Sequence, residues 1–213
     1  MKLKKYLKSL GYKIIFRNDN ELINNFERMK SYEYRLKLRT LDNYPVEFEK
    51  FILKLIKNEF ELECLGNVKI LNEGLGGDYD VLAFTSSLEL IYLECKTGKN
   101  ISKKEIKRFY DRHLFLKPSF SVLVIDQKKQ CTKEAMLMLR DVLTEWVKTK
   151  DNVLNEKKDY KFPSYEIIPE NNKEYAYHID KNLFAISGKN LIRGISYCFR
   201  YYNNIVKQSS YWG

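Results

Sequence analysis

Hydrophobic positions along this chain recur at helical spacing in some segments and in alternating or unbroken runs in others. Near the N-terminus Leu3, Leu7 and Leu10 share a helical face, and Gly11 closes that element. Tyr12 to Phe16 reads as a strand, and Leu22, Ile23 and Phe26 mark a second helix. A longer helix is predicted from about Pro45 to Phe60. Proline suits its first turn, and Phe48, Phe51, Ile52, Leu55 and Ile56 make one apolar stripe with Glu47 and Glu49 on its flanks. A short strand follows at Val68 to Leu71. The glycine-rich turn Gly74-Leu75-Gly76-Gly77 then leads into the apolar run Asp80-Val81-Leu82-Ala83-Phe84, and Thr85-Ser86-Ser87 turns the chain into Leu90-Ile91-Tyr92-Leu93-Glu94-Cys95-Lys96.

The next helix is predicted from about Ser102 to Leu116, because Ser102 and Glu105 have capping-box spacing. Its apolar stripe is Ile106, Phe109, Tyr110, His113 and Leu114, with Lys103, Lys104, Lys107, Arg108 and Arg112 on the other side. His113 on that stripe reads as a core histidine. Ser121 to Asp126 is nearly all apolar, the pattern of a strand buried on both faces, and Asp126 reads as a surface or strand-end residue. Thr132 caps a further helix that extends to Trp146. Residues 149–164 read as a linker or surface loop. Tyr165 to Ile168 and Tyr175 to Ile186 read as strands, and Leu191 to Val206 as a final helix rich in aromatics that packs into the core. A hairpin of central strands followed by a strand-helix-strand crossover gives an α/β fold: a mixed sheet with helices on both faces.

One pair of strands carries chemistry. Alternation puts Glu94 and Lys96 on one face of their strand and Cys95 on the other. Unpaired charge at the end of an apolar strand is costly, so these groups need a partner, and Asp80 on the preceding strand is the natural one. Two carboxylates and a lysine at adjoining strand ends can hold a hard divalent cation beside an ammonium group, which suits hydrolysis of a phosphodiester. Asp78 faces the same way as Asp80 but lies further from the apolar run and serves the turn. Neither the Gly74–Gly77 turn nor Thr97-Gly98-Lys99 has P-loop spacing.

Charge narrows the partner. The 213 residues hold 38 Lys and Arg against 28 Asp and Glu, a net charge of +10, which favours polyanions: nucleic acid first and acidic membrane second. No apolar run approaches a membrane span, and the N-terminus lacks the pattern of a signal peptide. Cys64, Cys95, Cys131 and Cys198 are scattered without zinc-site spacing. An intracellular, reducing compartment, the cytoplasm of a host cell, is therefore expected, without secretion.

Asp80, then Glu94-x-Lys96 on the next strand, with Phe48-Glu49 on the helix before, resembles the PD-(D/E)XK nuclease superfamily, to which restriction endonucleases and archaeal Holliday-junction resolvases belong. The match covers about residues 45–126. The chain length fits one domain over residues 1–213. The restriction-endonuclease-like core that the resemblance implies spans about 45–148, with extra elements at 1–44 and 165–213. The resemblance further implies a metal-dependent endonuclease acting on DNA in preference to RNA, structure-specific in the manner of the resolvases, and paired as a homodimer. Asp80 and Glu94 would hold Mg²⁺, for which Mn²⁺ substitutes, helped by the backbone carbonyl of Cys95. Glu49 would act through a water, with Glu47 as its rival. Lys96 would orient the attacking water or stabilise developing charge. Lys99, Lys103, Lys104, Lys107 and Arg108 would neutralise the nucleic-acid backbone. Two departures stand out: Tyr79 replaces the proline that names the superfamily, and the N-terminus lacks the arginine-rich start of the cellular archaeal resolvases. The Lys-, Asn- and Tyr-rich style is similar to that of proteins of archaeal spindle-shaped viruses. Two other readings compete with the nuclease: a non-catalytic nucleic-acid-binding module on the same fold, and an interaction protein of a virus or plasmid.

Overall fold

The computed structural model describes residues 2–15, 32–71, 74, 76–97, 101–126, 141, 165–166, 175–180, 182–188 and 190–206. The helices predicted at Leu22–Phe26 and from Thr132, the loop 149–164 and Lys99 lie outside the described residues.

The elements in chain order are α1 (Lys2–Ser9), β1 (Ile14–Ile15), α2 (Tyr32–Leu38), α3 (Tyr44–Glu59), β2 (Glu63–Ile70), β3 (Tyr79–Phe84), β4 (Leu90–Lys96), α4 (Lys103–Leu116), β5 (Phe120–Ile125), β6 (Tyr165–Glu166), β7 (Tyr175–Asp180), β8 (Leu183–Ser187) and α5 (Leu191–Tyr201). A π-helical turn, Tyr202–Val206, continues α5. The strands form one mixed sheet in the order β1-β2-β3-β4-β5-β8-β7-β6. β4, β5 and β8 run parallel at its centre, and the outer pairs are antiparallel. The fold is thus α/β, with helices on both faces.

Alternation sorts the core into two layers. Leu82, Tyr92, Leu123, Ile125 and Ala185 point to one face, where α1 brings Leu3 and Leu7 and α4 brings Ile106, Phe109 and Tyr110. Val81, Ala83, Ile91, Leu93, Val122, Val124 and Ile186 point to the other, under α3 and α5. Strands β3 and β5 are buried throughout, which explains why their sequences are almost all apolar. The Glu63 carboxylate accepts from the Lys2 and Leu3 amides at 2.9 Å each, closing the start of α1 and tying it to β2.

Several expectations need correction. Leu10 lies beyond the end of α1 and is exposed, because Gly11 at φ +82° turns the chain there. The short strand at Val68–Leu71 is the end of an eight-residue β2, whose irregular alternation hides its first half. Tyr175–Ile186 is not one strand but the hairpin β7–β8, broken near Asn182. In α4 the apolar stripe ends on buried Leu116, while Leu114 is exposed. That rotation turns Arg112, expected on the outer side, into the core. Of the two places expected for Asp126, surface or strand end, the second holds, and the residue is buried there under Arg35, Arg39 and Tyr44.

Candidate functional site

The site forms where β3 begins and β4 ends. Main-chain partners in this antiparallel pair run from Phe84↔Leu90 to Val81↔Leu93. One step further along the same register brings Asp80 up to Glu94, and the Glu94 charge acts on the Asp80 carboxyl. At this position the Asp80 side chain takes over from the ladder: its Oδ2 accepts the Cys95 amide at 2.6 Å. Among the described residues no donor reaches Oδ1.

Glu94 is buried and fully engaged. Its Oε1 accepts from Lys96 Nζ at 2.7 Å. Its Oε2 accepts from the Tyr92 hydroxyl, two residues back on the same face, and from Arg112 Nη1 at 3.3 Å. Cys95 points to the opposite layer, and burial pushes its thiol well up.

Glu49 comes from α3, held over the other layer by Phe48, Phe51 and Ile52. Its negative charge acts on both Asp80 and Cys95. Glu47 is occupied elsewhere, bonded to Lys50 Nζ at 2.8 Å and Asn43 Nδ2 at 3.2 Å. The fold therefore brings Glu49 toward Asp80 and leaves Glu47 on the outer side.

The electrostatics follow from this crowding. Burial, and then the charges of Glu94 and Glu49, hold the Asp80 carboxyl well above the usual carboxylate range, against the pull of Lys96. Burial pulls the Lys96 ammonium down, but Glu94 and Asp80 outweigh it and leave it raised and charged. Glu105, the N-terminal acid of α4, also acts on Lys96. It closes the capping box with Ser102, whose hydrogen bonds, aided by Lys96 and Arg108, overcome burial and lower its carboxyl. At Asp80 the repulsion of Glu94 and Glu49, added to burial, thus outweighs the pull of Lys96, while Arg112 supplies a second cation at Glu94.

A divalent cation would relieve that imbalance. Among the described residues no three His, Cys, Asp or Glu side chains lie close enough to hold one. The donor set fits an ion that keeps most of its waters: Mg²⁺ is commonly held by one or two carboxylates plus water and substrate phosphate. Asp80 through Oδ1, and Glu94, whose two oxygens already accept from protein donors, are the carboxylates that would serve.

Around the site, Lys103, Lys104 and Lys107 are exposed on α4, and Arg108 is half-buried. Lys107 pairs with Asp111 at 2.6 Å. Asp78 stays at the turn, its carbonyl accepting from Arg112. His113 is a core histidine bonded through Nδ1 to Ser121 Oγ at 2.9 Å. On α5, Cys198 is buried, and Phe199 and the adjoining Tyr202 pack against Phe120 in the core.

Sequence reasoning missed two residues here, Arg112 and Tyr92. Tyr92 carried a signal, since it alternates with Glu94 on the same strand face. Arg112 is three residues after Phe109 and four before Leu116, so it borders the true stripe.

Comparison with family models, with curated proteins and with solved structures returned no match.

Proposed function

We propose that this chain is a Mg²⁺-dependent nuclease that hydrolyses phosphodiester bonds in DNA. The observation that carries the reading is Asp80: a buried carboxylate set opposite Glu94, within the field of Glu49, and served by one lysine. Burial and the repulsion of Glu94 and Glu49 at Asp80 exceed the pull of Lys96, while Arg112 pairs with the far oxygen of Glu94. The supporting features are the net charge of +10 and the exposed lysines of α4.

A divalent ion supplies polarisation of the scissile phosphate and a lowered pKa for a coordinated water. Asp80 and Glu94 hold that ion. Lys96, kept charged by its acidic neighbours, orients the attacking water and stabilises the negative charge that develops on the phosphoryl oxygens. Glu49 acts through a water at the Asp80 side. Lys103, Lys104 and Lys107 neutralise backbone phosphates. The reading includes a homodimer, because two sites cut two strands.

The test is cleavage of linear duplex, single-stranded and four-way-junction DNA and single-stranded RNA with Mg²⁺, Mn²⁺ or EDTA. Lys96→Ala is assayed beside the wild type. Metal-dependent cutting of DNA that the variant lacks supports the proposal. Equal cutting by the variant removes it.

A second reading is a non-catalytic nucleic-acid-binding module. It is favoured by one observation: both oxygens of Glu94 already have protein donors. It expects salt-sensitive DNA binding with no turnover under any metal.

A further inference from the structure

Glu94 is held unequally at its two oxygens, and the asymmetry has a functional consequence. Oε2 accepts from the Tyr92 hydroxyl and from Arg112 Nη1 at 3.3 Å, and both donor side chains are essentially without solvent contact. Tyr92 is wedged between rings, 5.2 Å from Tyr79 and 5.4 Å from Phe109. Oε1 accepts only from Lys96, whose side chain is 14% exposed and is the most accessible member of the group. One oxygen is thus fixed by the core, and the other is held by a flexible ammonium at the rim.

Arg112 does a second thing. Its Nη2 donates to the Gly76 carbonyl at 2.6 Å and its Nη1 to the Asp78 carbonyl at 2.7 Å, while the guanidinium lies 4.9 Å from the centre of the Tyr79 ring. It therefore pins the segment that runs directly into Asp80. Gly77 makes room for it: a Cβ there would lie 2.7 Å from Arg112 Nη2, and its φ of +77° already favours glycine. One buried guanidinium thus touches Glu94 and the backbone that leads into Asp80.

Resting on the cation site proposed above, we propose that Tyr92 and Arg112 are positioning residues. They lock Oε2 of Glu94 so that Oε1 is the oxygen offered to the cation, and Lys96 is the group that leaves Oε1 when the cation binds. Lys96 is thereby released toward the substrate only when the site is loaded. Groups that fix a ligating carboxylate in this way commonly change metal affinity by about 10- to 100-fold when removed.

The experiment measures Mn²⁺ binding to the full chain without nucleic acid, by the loss of the free-ion paramagnetic signal, with Mg²⁺ competition. Tyr92→Phe removes one hydroxyl. Arg112→Lys keeps the charge but cannot span three acceptors, so its effect is not Coulombic. Both are expected to raise the Mn²⁺ Kd by about tenfold or more, with the melting midpoint in EDTA moved by no more than a few degrees. Lys96→Ala is expected to do the opposite, lowering the Kd while cleavage is lost, because the competing ammonium is gone. A purely structural role for these residues does not produce opposite signs. Tyr92→Phe decides the matter if Arg112→Lys fails to fold. Unchanged affinity in the positioning variants, or weaker binding in Lys96→Ala, overturns this inference and leaves the nuclease reading standing. A wild type that does not bind Mn²⁺ overturns both.

Discussion

Replacing Asp80 by Asn should make the metal-free protein more stable and the metal-loaded comparison reverse. Asn keeps a carbonyl oxygen for the Cys95 amide, so the 2.6 Å hydrogen bond has a successor. What disappears is a buried negative charge facing Glu94 and felt by Glu49. Opposed Cβ atoms on antiparallel strands lie about 5 Å apart. Two unit charges at about 5 Å and an effective dielectric near 20 repel by about 3 kcal/mol. Lys96 offsets part of this, leaving a gain of about 1–2 kcal/mol, or about 2–8 °C in a chain of this size. The sign with pH follows. The folded carboxyl is raised, so the native state holds its proton more tightly than the unfolded state. That contribution is complete below the ordinary carboxylate range and is lost as pH rises through the raised value. The Asn variant lacks this slope. Saturating Mg²⁺ should stabilise the wild type by about 2.7 kcal/mol at a hundred times Kd and the variant hardly at all. Thermal melts in EDTA and in Mg²⁺, across roughly pH 4 to 8, read all three effects. The expected signature is a crossing: the variant melts higher in EDTA and the wild type higher in Mg²⁺. A variant that melts lower in EDTA, or an equal Mg²⁺ gain in both proteins, refutes the reasoning.

Two further outcomes are expected. Asp126→Ala strips the acceptor from Arg39 and the Tyr44 hydroxyl and the counter-charge from Arg35, and breaking such a buried cluster should cost about 3–5 kcal/mol in urea unfolding at constant m; a loss below about 1 kcal/mol would sink that view of the cluster. Changing Lys103, Lys104 and Lys107 together to Ala should lower the slope of log K against log salt by about 0.9 for each phosphate no longer neutralised, equally for all DNA sequences, and an unchanged slope assigns the backbone to another face.

The sheet and the carboxylate pair were legible because each rests on a local rule. Periodicity located α3 and α4, the apolar runs located β3, β4 and β5, and alternation put Glu94 and Lys96 on one face. The partner of Glu94 was legible only in part, because Arg112 borders a stripe and polar residues are by default assigned to solvent. Leu114 and Leu116 differ by about 200° around the helix at 3.6 residues per turn, and choosing the wrong one rotated the buried face away from Arg112. The burial of Asp126 at its strand end was hidden for a related reason: Arg35, Arg39 and Tyr44, which cover it, are distant in sequence, and no short window contains them. The hairpin turn at Asn182 was hidden by β-prone residues on both sides.

The arrangement of these two charged clusters argues for chemistry over binding alone. At Asp126 the positive charge is in excess: two arginines and a tyrosine hydroxyl meet one carboxylate at the end of β5, and Arg35 also donates to the Gly188 carbonyl beyond β8. Its role is to dock α2 across the strand ends. One strand away, and joined to it through the Asp126 amide and the Lys96 carbonyl at 2.8 Å, the Asp80 carboxyl carries the repulsion of Glu94 and Glu49. A chain that merely bound nucleic acid would need lysines at its surface, and those are present on α4. It would gain nothing from Asp80, whose negative charge is buried among like charges and works against an approaching phosphate. Groups arranged at a cost to stability persist where the arrangement serves a reaction. The contrast between Asp80, pressed by two like charges, and Asp126, held between two arginines at the same end of the neighbouring strand, is therefore the reason to look for a cation at Asp80 and not at Asp126.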